Sequence, residues 1–173
     1  MNPLLLTGSE SERLVFRCVH PSDFKRWMPF YHDPESTRYW EGIAEDPVRA
    51  CREQFDRIFE RINLGLGGMN ALVEKKSGNF IGLCGLLVQE VDNRKELEIG
   101  YSILPGFRNK GYATEAARHC KKYAFEMALA PSLISIIHIH NTPSQKVAVH
   151  LGMKIDSTTT YKDNPVHIFR VYP

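Results

Sequence analysis

From residue 13 the chain alternates: Leu14, Phe16 and Cys18 fall on one side, Arg13 and Arg17 on the other. Period two predicts a half-buried strand over 12–19. After Pro21-Ser22-Asp23 the period lengthens, and Phe24, Trp27 and Met28 form the apolar stripe of a short helix reaching about Phe30. Residues 31–45, with Pro34, Tyr39, Trp40 and Gly42, keep neither period and read as a loop or broken helix. Asp46-Pro47 is a strong helix start, and Val48, Cys51, Phe55, Ile58, Phe59 and Ile62 carry that helix to about Asn63, before Gly65, Gly67 and Gly68. Strands at 69–74, 80–88 and 96–104 are separated by polar turns at 75–79 and 92–95, the pattern of an antiparallel meander. Ala113, Ala116, Ala117, Cys120, Tyr123, Ala124 and Met127 then follow at helical spacing. A face made mostly of alanine predicts a helix lying close to its sheet. Residues 133–139 are apolar on both faces, as in a central strand. Asn141-Thr142-Pro143-Ser144 caps a short helix with Val147, Ala148 and Leu151 as its stripe, and strands at 154–160 and 165–172 close the chain. The order β-α-α-β-β-β-α-β-α-β-β predicts one mixed α/β domain over 1–173, with 1–11 as a loose lead-in.

Composition narrows the class. With 43% hydrophobic and 24% charged residues in 173, the chain has material for one full-sized core. A formal net charge of +2 argues against a nucleic-acid partner. Residues 1–6 lack the basic start of a signal peptide, and no apolar run approaches the ~20 residues of a membrane span. A cytoplasmic protein without a membrane partner is expected. Cys18, Cys51, Cys84 and Cys120 are scattered without metal-ligand spacing and each lies in an apolar segment, so buried, reduced thiols are expected.

The sharpest chemical signal is Arg108-Asn109-Lys110-Gly111-Tyr112-Ala113, between a strand and the alanine-faced helix. A glycine-containing turn opening a helix leaves backbone N–H groups unpaired and aimed one way, at the positive end of the helix dipole. That is a place for a phosphate, and Arg108 and Lys110 add charge. The spacing is neither that of a Walker loop nor that of a dinucleotide fingerprint.

In context the sequence resembles the general-control-type N-acetyltransferase (GNAT) superfamily, over about 12–172. Glu98-Ile99-Gly100-Tyr101-Ser102-Ile103-Leu104-Pro105 is similar to the family's fourth strand. Arg108 through Ala116 matches its pyrophosphate loop, Arg/Gln-x-x-Gly-x-Gly/Ala. Asn141-Thr142-Pro143-Ser144 through Leu151-Gly152-Met153 is similar to its Asn-led helix, and Ser11 through Arg17 to the Rim-like ribosomal-protein N-terminal acetyltransferase branch. The resemblance implies a mostly antiparallel sheet with helices on both faces and splayed fourth and fifth strands. It implies acetyl-CoA, with the diphosphate on Arg108, Asn109, Lys110, Gly111, Tyr112, Ala113 and Thr114, and the pantetheine arm along Ile103, Leu104, Asn141 and Ser144.

Acetylating an amine needs a base, an N–H for the oxyanion and a route for a proton to the departing thiolate. The resemblance points to Glu98 as base with Glu96 in reserve, the backbone N–H near Leu104 for the oxyanion, and Ser144 near the sulfur. Ala148 stands where much of the family has a tyrosine, and Tyr161 is an alternative donor. Either carboxylate could equally be a solvated strand residue, and Ser144 or Asn141 a plain helix cap. Arg118, Lys121, Lys122 and Lys146 could meet the cofactor's 3′-phosphate or form a solvated face. Tyr39, Trp40, Glu41, His138 and His140 are candidates for the acceptor wall, and Glu41 or Asp163 could pair with a cationic acceptor. No metal is expected from two histidines without a third ligand. The reading is direct attack by a small-molecule or peptide amine in a ternary complex, by a monomer or homodimer. A CoA-sensing or interaction module that keeps the fold without turnover is the competing class.

Overall fold

Asp92 and Asn93 both adopt positive φ, 47° and 62°, and make a two-residue turn. The strands around it, β3 (Phe80–Val91) and β4 (Arg94–Ile103), therefore run further into the 92–95 segment than its polarity suggests. In this computed structural model, which describes residues 2–173, they join β1 (Leu14–Arg17), β2 (Gly67–Glu74), β5 (Leu133–His138), β6 (Lys154–Tyr161) and β7 (Asn164–Val171) in one seven-stranded sheet. The order is β1-β2-β3-β4-β5-β7-β6, antiparallel except for β4 and β5.

Helices cover both faces. On one lie α1 (Phe24–His32) and α2 (Pro47–Asn63); on the other lie α3 (Tyr112–Glu126) and α4 (Thr142–His150). Asp46 caps α2 by accepting the Arg49 N–H at 2.8 Å. Asp23 is buried and receives both prongs of Arg17 (2.7 and 2.8 Å), which ties the start of α1 to β1. Gln54 of α2 accepts from Trp27 and Tyr31 of α1, at 2.6 and 2.9 Å. Alternation along β4 sends Leu97, Ile99 and Ile103 into the core with α3 and leaves Glu96 and Glu98 on the α2 face. The alanine face of α3 packs as expected: Ala116, Ala117 and Ala124 are fully buried, and the Cys120 and Cys84 thiols meet at 3.5 Å.

Three expectations need correction. The lead-in is anchored, because Leu6 is 1% exposed in the main core and the Gly8 N–H bonds the Phe16 carbonyl at 2.8 Å. Cys18 is exposed, because β1 ends at Arg17 and the alternation ends with it. Val48 and Met127, at the ends of their stripes, are also exposed.

Candidate active site

Gly111 caps α3 at φ 81°, a conformation that L side chains resist. The first hydrogen bond of the helix runs from the Glu115 N–H to the Gly111 carbonyl at 3.0 Å, so the amides of Tyr112, Ala113 and Thr114 have no intrahelical acceptor. A brace the sequence did not announce holds this turn. Glu115 accepts from Ser11 Oγ and the Arg13 N–H at 2.7 Å each, and from Arg13 Nε at 2.6 Å. Burial pushes the Glu115 carboxyl up, but those hydrogen bonds outweigh it and hold it below its ordinary value. Arg13 also lies 4.3 Å from the Tyr112 ring centroid and donates to the Lys110 carbonyl at 3.0 Å.

Arg108 behaves differently from expectation. Its guanidinium bonds Asp33 Oδ2 at 2.7 Å, Ser36 Oγ, and the Ile103 carbonyl at 3.1 Å, which makes it a bracket between the loop and the chain after α1. What the turn offers an anion is therefore mainly backbone N–H, with Lys110 exposed beside it. Of the other candidate cations, Lys121 donates to the Leu151 carbonyl at 2.7 Å and Lys122 pairs with Glu126 at 3.7 Å; Arg118 and Lys146 stay exposed.

Next to this loop the sheet opens. β4 and β5 are matched only at Glu98 and Ile134, and beyond that pair they diverge. Side chains satisfy the edges of the gap. Glu98 Oε1 accepts the Ile136 N–H at 3.3 Å, and Ser135 Oγ donates to the Ile99 carbonyl at 2.9 Å. Tyr101 donates to the Ser144 carbonyl at 2.8 Å, while Ser144 Oγ lies 3.2 Å from the phenol oxygen. Asn141 Oδ1 caps α4 by accepting the Ser144 N–H at 3.2 Å, leaving its amide nitrogen for another partner. Burial raises the Glu98 carboxyl above its ordinary value, against the Gln89 and Ile136 hydrogen bonds and the more distant Arg61 and Lys162 charges.

Two assignments change here. The Leu104 N–H donates to the Ile81 carbonyl at 2.9 Å and faces β3, away from the gap. By strand alternation the amides that face the gap are those of Tyr101 and Ile103. Glu96 is held by Arg170 through two bonds, 2.8 and 3.0 Å, and is no reserve base. Tyr101 and Ser135 were missed; Tyr101 could have been found by stepping two residues back from Ile103 along the same edge.

On the α2 face, Tyr39 stacks on His138 with centroids 5.0 Å apart, and His140 lies 5.5 Å from His138. Trp40 packs on Phe30 at 5.6 Å, as an anchor does. The Glu41 N–H bonds Asn164 Oδ1 at 3.2 Å, so the loop after α1 meets the β6–β7 turn, while the Glu41 side chain and Asp163 remain exposed. Tyr161 donates to Gln89 at 2.9 Å, and Gln89 donates to Glu98 Oε2 at 2.7 Å, a polar chain from the hairpin to the gap. Among the described residues no group of three or more His, Cys, Asp or Glu side chains could hold a metal, and no helix is long and apolar enough to cross a membrane.

Comparison with known proteins agrees with this architecture. The acetyltransferase (GNAT) domain model matches residues 13–154. An uncharacterized N-acetyltransferase of Bacillus subtilis (strain 168), YnaD, is 37% identical over 145 residues, 83% of this chain and 81% of that protein. The putative ribosomal N-acetyltransferase YdaF of the same organism is 28% identical over 151 residues, 86% of this chain and 81% of its own length. The crystal structure of an acetyltransferase from Agrobacterium tumefaciens str. C58 superposes with a TM-score of 0.80 at 24% identity, covering 95% of this chain and 94% of that one. With most of its length matched by the family model, the chain belongs to the GNAT acetyltransferases, a family that takes its acetyl group from acetyl-CoA.

Proposed function

We propose that this protein is a cytoplasmic N-acetyltransferase in which a primary amine attacks acetyl-CoA directly, with Glu98 as the base. The observation that carries this reading is the divergence of β4 and β5 at Glu98, next to a helix start with free amides. The residues fit the cofactor: the N–H groups of Tyr112 to Thr114 suit a diphosphate, and Gly111 lets it approach the backbone. Along the gap, the Ile103 and Tyr101 backbone and the Asn141 amide suit the pantetheine amides.

Acetyl-CoA, when bound, supplies an activated acyl group on a thiol leaving group. The protein's part is to receive the amine proton, to place an N–H where negative charge develops and to return a proton to sulfur. Glu98 suits the first task, because burial raises its carboxyl above its ordinary value and makes the carboxylate a stronger base. The amide of Tyr101 or Ile103 suits the second. Ser144, with Tyr101 behind it, suits the third as a relay. The Tyr101 phenol is raised above its ordinary value, chiefly by burial, so it orients the serine and does not ionise. Cys120 is fully buried on the core-facing side of α3, and its thiol is raised by that burial, which leaves no accessible cysteine there for an acyl-enzyme.

The test is thiol release from acetyl-CoA with a panel of amines, with mass detection of the acetylated product. Acceptor-dependent release supports transfer. Binding of acetyl-CoA with no release across the panel overturns it in favour of a sensor.

A further inference from the structure

Between the end of α2, β3 and the β6–β7 hairpin lies a cavity of about 500 Å³, and one of its lining residues, Gln89, donates to Glu98 Oε2 at 2.7 Å. Arg61 from the last turn of α2, Val88 and Gln89 from β3, and Tyr161 and Lys162 from the β6–β7 hairpin line it. Glu90, Asp92 and Lys95 line it as well, with Asp92 accepting from Thr159 Oγ1 at 3.0 Å.

Two of the lining cations, Arg61 and Lys162, form no ion pair among the described residues. The other half-buried arginines named above each carry a carboxylate: Arg13 has Glu115, Arg17 has Asp23, Arg108 has Asp33 and Arg170 has Glu96. Arg61 and Lys162, with Arg57 nearby, have no carboxylate within 4.0 Å among the described residues. Arg61 donates to the carbonyls of Val88 and, at 3.4 Å, of Leu66, and its buried Nε has no hydrogen-bond partner. Carbonyl contacts satisfy donors without cancelling charge. Burial, followed by the Arg61 and Arg57 charges, draws the Lys162 ammonium below its ordinary value, with Glu98 pulling the other way. Glu98, whose charge reaches both, lies beyond 4.0 Å of either cation and bonds Gln89 Nε2 and the Ile136 N–H instead.

We propose that this cavity receives a carboxylate carried by the acceptor, so that the substrate is a small amino acid or short peptide with its amine at Glu98 and its carboxylate between Arg61 and Lys162. This rests on the acetyl-transfer reading and names the substrate class for the same site. A carboxylate accepts charge-assisted hydrogen bonds from both cations, with the planar guanidinium suited to a two-pronged grip. The volume lies within the range that buries a small ligand.

The purified full-length protein would be assayed with acetyl-CoA on matched pairs: free amino acids and dipeptides against their carboxamides. A polyamine, an aminoglycoside and a peptide with a ribosomal-protein N-terminal sequence complete the panel. The expected result is kcat/KM at least about 10-fold higher for the carboxylates than for the amides. Lys162→Glu, on an exposed turn, is expected to erase that ratio while leaving the KM for acetyl-CoA unchanged, and Lys162→Met to fall between. Amides acetylated as well as acids, or transfer confined to the other amines, would overturn this inference and leave acetyl transfer standing. Acetyl-CoA binding without transfer to any amine would overturn both.

Discussion

At the head of α3, charged side chains are paired by residues from distant elements: Arg13 with Glu115, Tyr112 with Glu74 and Arg108 with Asp33. Across the sheet, where β6 and β7 turn over α2, Arg61 and Lys162 have no carboxylate partner and Glu98 is held above its ordinary pKa. The first region is finished before any ligand arrives; the second is left electrostatically open. A donor site that always meets the same diphosphate gains from rigid backbone amides, which need no rearrangement on binding. An acceptor site that must select one amine gains from side chains on a loop and a hairpin, which can vary without disturbing the sheet.

The comparison breaks most sharply at Gly111. Gly111→Trp is expected to weaken acetyl-CoA binding by at least about 100-fold, because the side chain fills the space in front of the amides. Circular dichroism should stay native, since Gly111 is exposed. Gly111→Ala isolates the backbone strain of φ 81°, about 1 kcal/mol, and should weaken binding far less. If the tryptophan variant, titrated by calorimetry, bound as tightly as wild type, the donor would not sit on this turn.

Glu98 stands where the two regions meet, and Glu98→Gln sharpens the contrast through pH. Loss of the base is expected to lower kcat by roughly 100- to 1,000-fold near neutrality. The deficit should narrow at high pH, where the amine deprotonates unaided; an equal deficit at every pH would place the base elsewhere. Stability should move the opposite way. A carboxyl raised in the folded state stabilises the fold fully below its unfolded pKa, and that contribution is lost as pH rises through the raised value. The glutamine has no such loss, so its Tm should exceed wild type at pH 7 and match it in acid.

How much of this was legible in the chain divides along the same line. Period and turn chemistry were enough for the element order, the alanine-faced α3 and the Gly111 turn, because each is a local property. The brace at Glu115 spans more than 100 residues, to Ser11 and Arg13, and nothing local marks it. Arg108 read as a phosphate ligand because its partner Asp33 lies 75 residues away. The Leu104 amide failed for a smaller reason, one step of strand parity that decides whether an N–H faces β3 or the gap. On the acceptor side the sequence offers Tyr39, Trp40, Glu41, His138 and His140 as wall candidates. It offers Glu41 and Asp163 as the charges there, whereas the cavity proposed for the acceptor is lined by Lys162 and by Arg61 of α2, 101 residues apart in sequence.

Tyr101→Phe tests the gap between the regions. The variant loses the bond to the Ser144 carbonyl and frees the serine hydroxyl, at a stability cost of about 1 kcal/mol. If Tyr101 positions the serine for proton return, kcat should fall about 10-fold with the KM for acetyl-CoA nearly unchanged. The deficit should shrink with an acyl donor whose thiol is more acidic and needs no proton. A rise in KM alone would assign Tyr101 to binding.

The smallest change in activity is expected at Glu115, which touches the donor only through the turn it supports. Glu115→Ala leaves Ser11 Oγ, the Arg13 N–H and Arg13 Nε without their acceptor. Orphaned donors cost about 1–3 kcal/mol in total here, discounted because Arg13 is partly exposed to solvent. For a chain of this length each kcal/mol lowers Tm by roughly 2–4 °C. The KM for acetyl-CoA should rise only a few-fold, because the amides remain and lose only their brace. The carboxyl is depressed in the folded state, so its contribution is fully present above its unfolded pKa and is lost as pH falls through the depressed value. The Tm gap between wild type and Glu115→Ala should therefore be full at pH 7 and close progressively below about pH 4. A gap that stayed constant into acid would mean that Glu115 acts by packing, and that the donor side owes its rigidity to the apolar contacts of α3.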